Sequence, residues 1–371
     1  MRILVAPDSF KGSLSATRIA AAIERGLKKS FPAANTVCVP MADGGEGTLE
    51  VLGSHGWELV EVPVCDHHRR LVRATVARRD SVFVVGSAQA WRFAPGAGPT
   101  MALAAPGEGV GMLIEYALDE GATDIFLTLG GTASTDGGKG MLTHLGAQIL
   151  DATGQPLPPG GGSLEKVAQV DMSRMDPRLT KVTMTVVTDV DAPLLGPSGA
   201  AHQFGPQKGA DIGAVATLAA GLARFSQILG PEVALIPGAG AGGGSAYGAL
   251  AGLGANAAHG ASTVARIVGL DSVLRECDAV ITGEGSLDDQ SFGGKVVGFV
   301  CALAQERGIP VGVICGQSVL PGDDDSFLSS RGIVWLRTLM EIASNTSHAM
   351  EHSEELVQEI ASQMGMEMST S

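Results

Sequence analysis

The stretch from Asp124 to Met141, DIFLTLGGTASTDGGKGM, limits what this chain can fold into more than any other. Ile125 to Leu129 is an apolar run of strand length. The small, hydroxyl-bearing run Gly130-Gly131-Thr132-Ala133-Ser134-Thr135-Asp136-Gly137-Gly138 follows at once, and Met141, Leu142 and Leu145 then return at helical spacing. A strand that feeds a helix through such a loop offers unpaired backbone N–H groups and the positive end of a helix dipole to an anion. Glycines let the main chain approach a ligand, because no Cβ intervenes. The competing account is plainer: Ser, Thr and Asp in a tight turn cap the helix that follows. For one loop in isolation, capping is the simpler explanation.

The pattern recurs along the chain. Arg2 to Ala6 is β-rich and is broken by Pro7-Asp8-Ser9-Phe10-Lys11-Gly12-Ser13. A helix follows from about Ser15, with Ile19, Ala22, Ile23 and Leu27 on one face. Thr36 to Pro40 forms a second strand ending in Met41-Ala42-Asp43-Gly44-Gly45-Glu46-Gly47, and Thr48 to Leu52 opens the next helix. This βαβα order predicts a parallel sheet with its functional crevice at the carboxyl ends of the strands.

The rhythm changes at Trp57. Trp57 to Val64, Arg70 to Ala77 and Ser81 to Val85 are three alternating runs with no helix between them, an antiparallel meander that starts a second domain. Helical spacing returns from Gly107. Further strands are expected at Ala147 to Leu150, Val182 to Thr188, Ala279 to Ile281 and Val311 to Ile314. Helices are expected at Gly213 to Leu229, Val296 to Arg307 and Glu354 to Met364, and Gly238 to Gly244 is a loop of glycine and alanine only.

Charge and composition remove several function classes. With 25 Lys and Arg against 39 Asp and Glu, the formal net charge is −14 and no basic cluster is present for a nucleic-acid backbone. Five cysteines without a CxxC pair read as reduced thiols of a cytoplasmic protein. The N-terminal apolar run is too short for a signal peptide, and no stretch reaches the ~18 uninterrupted apolar residues of a membrane helix. His67 and His68 are neighbours that point to opposite faces of a strand, a poor start for a zinc site. Trp57, Trp91 and Trp335 read as core or interface residues.

Five glycine-rich or charged segments stand at the ends of predicted strands. These are Asp8 to Ser13, Asp43 to Gly47, the loop with Asp136, Thr188-Asp189-Val190-Asp191, and Thr282-Gly283-Glu284-Gly285-Ser286-Leu287-Asp288. Any one of their carboxylates is explained as a cap; five together, in a chain only 17% charged, are not. Carboxylates beside N–H-rich loops suit a Mg²⁺-phosphate site and supply a base for a hydroxyl nucleophile. Lys11, on a strand-to-helix loop where a cation opposes the helix dipole, fits an anion, although a solvated lysine explains it equally well. Lys208 and Lys295 are cations of the same kind. Phosphate motifs of other families fail: GxxxxGK[ST] is absent, and Gly238 to Gly243 fits GxGxxG but follows Pro237 and has no acid about 20 residues on.

Taken together, VAPDSFKGSLSA (5–16), PMADGGEGT (40–48), GGTASTDGGKGM (130–141), DVDAPLLGP (189–197), FGPQKGA (204–210), PGAGAGGG (237–244) and ITGEGSLDDQS (281–291) closely resemble the bacterial class I glycerate kinase family over almost the whole chain. The resemblance implies ATP-dependent, Mg²⁺-assisted phosphorylation of D-glycerate, usually to 2-phosphoglycerate. It also implies an α/β protein of two domains with the active site in the cleft between them. One is flavodoxin-like, with a parallel sheet, and discontinuous (1–56, 107–146 and 265–371); the other is an inserted mixed-sheet domain (57–106 and 147–264). On this reading Asp189, Asp191 and Lys11 are catalytic, and Asp8, Ser9, Asp43, Thr132, Ser134 and Asp136 bind substrate. Gly283, Glu284, Asp288, Lys208 and Lys295 bind the nucleotide, with Asp191 and Glu284 as metal ligands. The partner is a small molecule, with no nucleic acid or membrane, and a monomer or homodimer fits equally. Two segments depart from the family: Gly86-Ser87-Ala88-Gln89-Ala90 stands where a Glu-Met-Ala is usual, and Pro106-Gly107-Glu108-Gly109 where a Thr or Ser precedes Tyr-Gly. They leave open a related hydroxy acid as substrate, or a binding protein without turnover.

Overall fold

Alternation decides the first layer: Ile3 and Val5 face one side of a sheet while Leu4, between them, faces the other, and all three are fully buried. A strand buried on both faces needs helices on both, the arrangement of a doubly wound α/β unit. The computed structural model describes residues 1–66, 70–90, 98–320 and 325–370; His67, His68 and Trp91 lie outside the described residues. Among these, the chain divides into two units, Met1–Gly56 with His259–Ser371, and Trp57–Ala258.

In chain order, the first unit opens with β1 (Arg2–Val5) and β2 (Asn35–Cys38), joined through the helix Ala16–Ser30. The second contributes β3 (Glu58–Cys65), β4 (Leu71–Arg79), β5 (Val82–Gly86), β6 (Asp124–Thr128), β7 (Gln148–Asp151), β8 (Val167–Asp171), β9 (Thr183–Val187) and β10 (Asn256–Ala258). The chain then returns to the first unit for β11 (Ala279–Leu287), β12 (Val311–Ser318) and β13 (Ile333–Thr338).

The sheet of the first unit runs β13-β12-β11-β1-β2 with every pair parallel. Numbered within the unit this is the 2-1-3-4-5 order of flavodoxin-like folds, in which the winding reverses between the first and third strands. The switch point therefore lies between β1 and β11. One face is covered by Ala16–Ser30 and the last helix, Ser353–Thr370, through Ile19, Ile23, Val357 and Ile360. Those two helices touch closely because glycine allows it: a Cβ on Gly26 would lie 2.3 Å from the Gln358 carbonyl oxygen. The other face is covered by Val264, Leu270, Val297 and Val300.

In the second unit the six-stranded sheet runs β10-β9-β6-β5-β4-β3. The meander expected from Trp57 onward is present, β3 to β5 pairing antiparallel, after which β5, β6, β9 and β10 are parallel. Trp57 is buried beneath the Arg79 guanidinium, 5.0 Å from the ring centroid. The helix Ile212–Leu229 is long and apolar enough to cross a membrane by length and composition alone, but Leu218, Leu222 and Phe225 bury one of its faces in this core.

Two expectations need correction. Residues 107–146 do not join the first unit. Their strand, β6, lies between β5 and β9, with Leu127 opposite both Val85 and Val186. An apolar run shows that a strand is buried, not which sheet buries it. Second, β11 does not stop at Ile281. It continues through Gly283, Glu284 and Gly285 to Leu287, paired with β12 throughout, so the segment read as a loop is mostly strand.

Candidate active site

Beyond Val5, the pairing of β1 with β11 continues through backbone bonds from Ala6 N–H to the Ile281 carbonyl and from Asp8 N–H to the Gly283 carbonyl, both 2.8 Å. Asp8 is thereby fixed at the carboxyl end of β1, directly beside Glu284 of β11, at the switch point. The chain turns back through Phe10 to Leu14, with Gly12 at φ +79°. Asp43, on the loop after β2, accepts a hydrogen bond from Gly45 N–H (2.9 Å) on Oδ1, and its Oδ2 lies 3.5 Å from Lys11 Nζ. Asp8, Ser9, Lys11, Asp43, Glu284, Asp288 and Lys295 line one cavity of about 350 Å³. Seven residues predicted from four separate segments are brought together here, as the switch-point rule requires.

The electrostatics of this cavity are unbalanced. Asp8 is 7% exposed, and burial together with the nearby Asp43 and Glu284 carboxylates pushes it up to about 7, against the Ser9 N–H and Lys11. The Asp43 carboxylate raises Lys11 above the ordinary lysine range. Burial also raises Glu284, whose Oε1 is buried without a hydrogen-bond partner. A buried carboxylate oxygen left without a donor costs on the order of 1–3 kcal/mol in folding and is a natural contact for a ligand or cation.

Two of the predicted nucleotide residues have local work as well. Asp288 and Ser291 form a reciprocal capping box at the turn Asp289–Phe292, each side chain bonding the other's backbone N–H at 2.9 Å. Gly283 is required by sheet packing: a Cβ there would lie 2.0 Å from the Ile314 carbonyl oxygen. Lys295 precedes the helix Val296–Gln305 and lines the cavity. The opposite wall, Leu339, Met340, Thr346, Ala349 and Met350, had no signature in the sequence, since short turns carry no hydrophobic period. It is held in place where Ser13 Oγ donates to the Met350 carbonyl (2.9 Å).

The second unit treats its strand ends differently. Asp136 is fully buried, and its two oxygens accept from Gly138 N–H (3.0 Å) and Gly140 N–H (2.9 Å), at the start of the helix Lys139–His144. Both oxygens thus cap that helix. Thr132 and Ser134 are likewise buried, at 3% and 0% exposure. Lys208, read as a nucleotide ligand, is buried beneath the same loop, donating to the Ser134 carbonyl and to Thr132 Oγ1 (3.4 Å), and burial drives it down to about 7. Lys139 donates to the Pro158 carbonyl and to Ser163 Oγ, and burial lowers it to about 8.

The glycine loop Gly238 to Gly244 locks into this arrangement. Gly242, Gly243 and Gly244 all have positive φ, and a Cβ on Gly243 would lie 2.1 Å from the Ser134 carbonyl oxygen and 2.8 Å from Lys208 Nζ. Gly107, one of the departures from the family pattern, packs on Asp136: a Cβ there would come 2.5 Å from Oδ2. The carboxylates of this unit's strand ends that keep some exposure are the half-buried Asp189 and the exposed Asp191, directly after β9. Among the described residues no group of three or more His, Cys, Asp or Glu is arranged to hold a metal by itself.

The sequence model of the Glycerate kinase family matches residues 3–369. The chain is 37% identical to a glycerate kinase of Halalkalibacterium halodurans over 97% of this chain and 96% of that one. It is 38% identical to the glycerate 2-kinase of Escherichia coli over 90% of this chain and 89% of that one. A crystal structure of a glycerate kinase 2 from Salmonella typhimurium superimposes with a TM-score of 0.84 at 32% identity, covering 100% of this chain and 98% of that one.

Proposed function

The chain belongs to the glycerate kinase family, and from that premise we propose that it transfers the γ-phosphoryl group of ATP to D-glycerate, giving 2-phosphoglycerate and ADP. The observation that carries the reading is the cavity at the switch point of the first unit, where Asp8, Lys11, Asp43, Glu284 and Lys295 converge in a chain matched by the family from end to end.

Lys11 is the anchor we assign to the carboxylate of the acid. It is 72% exposed and held over the cavity by Asp43 without being buried by it. Asp189 is the base: its carboxylate takes the proton of the acid's hydroxyl as the oxygen–phosphorus bond forms and the bond from phosphorus to the ADP oxygen breaks. Asp191 orients that exchange. The donor set fits Mg²⁺, which needs one or two carboxylates and completes its shell with phosphate oxygens and water; the unpartnered Glu284 Oε1 meets that requirement. Glu284 and Asp191 are the carboxylates assigned to it, and when bound the ion neutralises charge on the phosphate oxygens. Positioning dominates catalysis in such transfers, because the protein has little covalent chemistry to perform. The reading carries with it a cytoplasmic location and a small molecule as the partner.

A related hydroxy acid is the second reading, favoured by Gly86 at the end of β5, where the family usually carries a carboxylate. An ADP-release assay with Mg-ATP and a panel of hydroxy acids, followed by phosphorus NMR of the product, decides between them. Turnover with D-glycerate to the 2-phosphate is the expected result; turnover confined to another acid would replace the substrate.

A further inference from the structure

The cavity of the first unit has two unlike walls, and the difference says which part of the reactants it takes. One wall carries the carboxylates of Asp8, Asp43, Glu284 and Asp288 against only Lys11 and Lys295, so its charge is net negative. The other is apolar, with Phe10, Leu339, Met340, Ala349 and Met350. Two of these are left open: Met340 is 37% and Met350 47% exposed. The other polar side chains of the lining, Ser9, Ser13, Ser286, Gln317 and Thr346, are neutral.

Charge first separates the candidates. A phosphate chain or a small carboxylate would enter against an excess of negative charge in a site of low polarisability. A neutral group rich in hydrogen-bond donors, such as ribose hydroxyls and a base amino group, would find acceptors in the same carboxylates, as acidic residues do for ribose in other doubly wound sheets. Volume then points the same way. About 350 Å³ has room for roughly a dozen waters at ~30 Å³ each, far more than a three-carbon acid displaces and within the ~300–1,000 Å³ range of pockets that enclose larger organic ligands. Polarisable methionine side chains complete the match, since thioether sulfur makes favourable contacts with aromatic rings.

We propose that this cavity takes the nucleoside end of the phosphoryl donor, its base against Met340 and Met350 and its ribose toward Asp8, with the phosphates leaving past Glu284, Lys11 and Lys295. This rests on the reading of the chain as an ATP-dependent kinase. It leaves the acid outside the deep part of the cavity, with Lys11 at the rim serving the anionic groups of either reactant.

Calorimetric titration of the full chain with adenosine, ADP and D-glycerate tests it, using the wild type, Met350→Glu and Met340→Glu. Both methionines are partly exposed, so the variants are expected to fold, and circular dichroism melting checks that they do. The expected result is measurable adenosine binding to the wild type and at least a tenfold rise in Kd for adenosine and ADP in the variants, with KM for glycerate within twofold. A tenfold rise in KM for glycerate with ADP affinity unchanged would assign the cavity to the acid and overturn the proposal. So would unaltered ADP affinity in both variants. Failure of the kinase reading looks different: no ADP release by the wild type with any acid, whatever adenosine does.

Discussion

The carboxyl ends of the strands carry glycine and acid in both units, yet the two sets have opposite fates. In the first unit Asp8, Asp43 and Glu284 crowd around a cavity, and one carboxylate oxygen of Glu284 is buried without a donor. In the second, Asp136 has a donor on each oxygen, Lys208 and Lys139 are sunk into carbonyl and hydroxyl groups, and Gly243 closes the loop from above. The same composition leaves carboxylates crowded around an open cavity in one place and builds a joint in the other whose charged groups are all paired, with only Ser134 Oγ left buried without a partner among its loop's hydroxyls. Unmet hydrogen-bonding capacity, not residue type, marks the part of a loop that waits for a ligand.

The largest effect should come from the exception within the second unit. Asp189→Asn is expected to lower turnover by ~10²–10⁴-fold, the usual range for a lost general base, with an unchanged melting temperature. Near-normal turnover in the ADP-release assay would remove Asp189 from that role and leave the second unit without a catalytic strand end.

Glycine substitutions compare the joint with the open loops. Gly243→Ala combines positive φ with a Cβ 2.1 Å from a carbonyl oxygen, whereas Gly47→Ala has positive φ and nothing within 4 Å. Urea unfolding should show a loss of about 3 kcal/mol or more for the first and about 1–2 kcal/mol for the second. Equal losses would mean that the loop of the second unit is no more tightly packed than that of the first.

Carboxylate replacement should then change sign between the units. Asp136→Ala strips two buried N–H groups of their acceptor and should cost about 2 kcal/mol. Glu284→Gln removes a buried charge that Ser291, Lys295 and Lys11 offset only in part; it should leave stability unchanged or raise it by about 1 kcal/mol, while turnover falls at least tenfold. A destabilised Glu284→Gln would show that its carboxylate holds the fold.

The gentlest effect, at most about 1.4 kcal/mol for each pH unit, is in the pH dependence of stability. The folded protein raises Asp8 from 3.8 to about 7 and so binds the extra proton. Its contribution is full below pH 3.8 and is lost as pH rises to about 7. Lys208 is lowered from 10.5 to about 7, so the fold prefers it neutral; its contribution is full above pH 10.5 and is lost as pH falls toward 7. Asp8→Asn should flatten the slope between pH 4 and 7, and Lys208→Met the slope between pH 7 and 10. Melting curves across both windows test this. A variant that leaves its window unchanged would show that its side chain is not driven off its ordinary range.

Much was legible before any coordinates. Period-two and helical spacing located β1, β2, the meander β3 to β5 and the helix Val296–Gln305 within a residue or two, because burial on one or both faces writes itself into the order of apolar residues. The acidic strand ends stood out as too many for capping. What could not be read was which of them would be satisfied. Asp136 and Asp8 each stand in a loop between a strand and a helix, but Asp136 meets the N–H groups of its own helix, while Asp8 faces two other carboxylates brought in from residues 43 and 284.

The sequence by itself determined the elements, the parallel winding of the first unit, the change of rhythm at Trp57 and the family. These depend on neighbours a few residues apart, and local sterics and periodic burial encode them. Tertiary structure alone decided that β6 belongs between β5 and β9, that Leu339 to Met350 faces Asp8, and that Lys208 lies beneath Ser134. Those pairings join residues far apart in the chain, where the free energy of contact depends on which surfaces meet and which polar groups are left unpaired when they do.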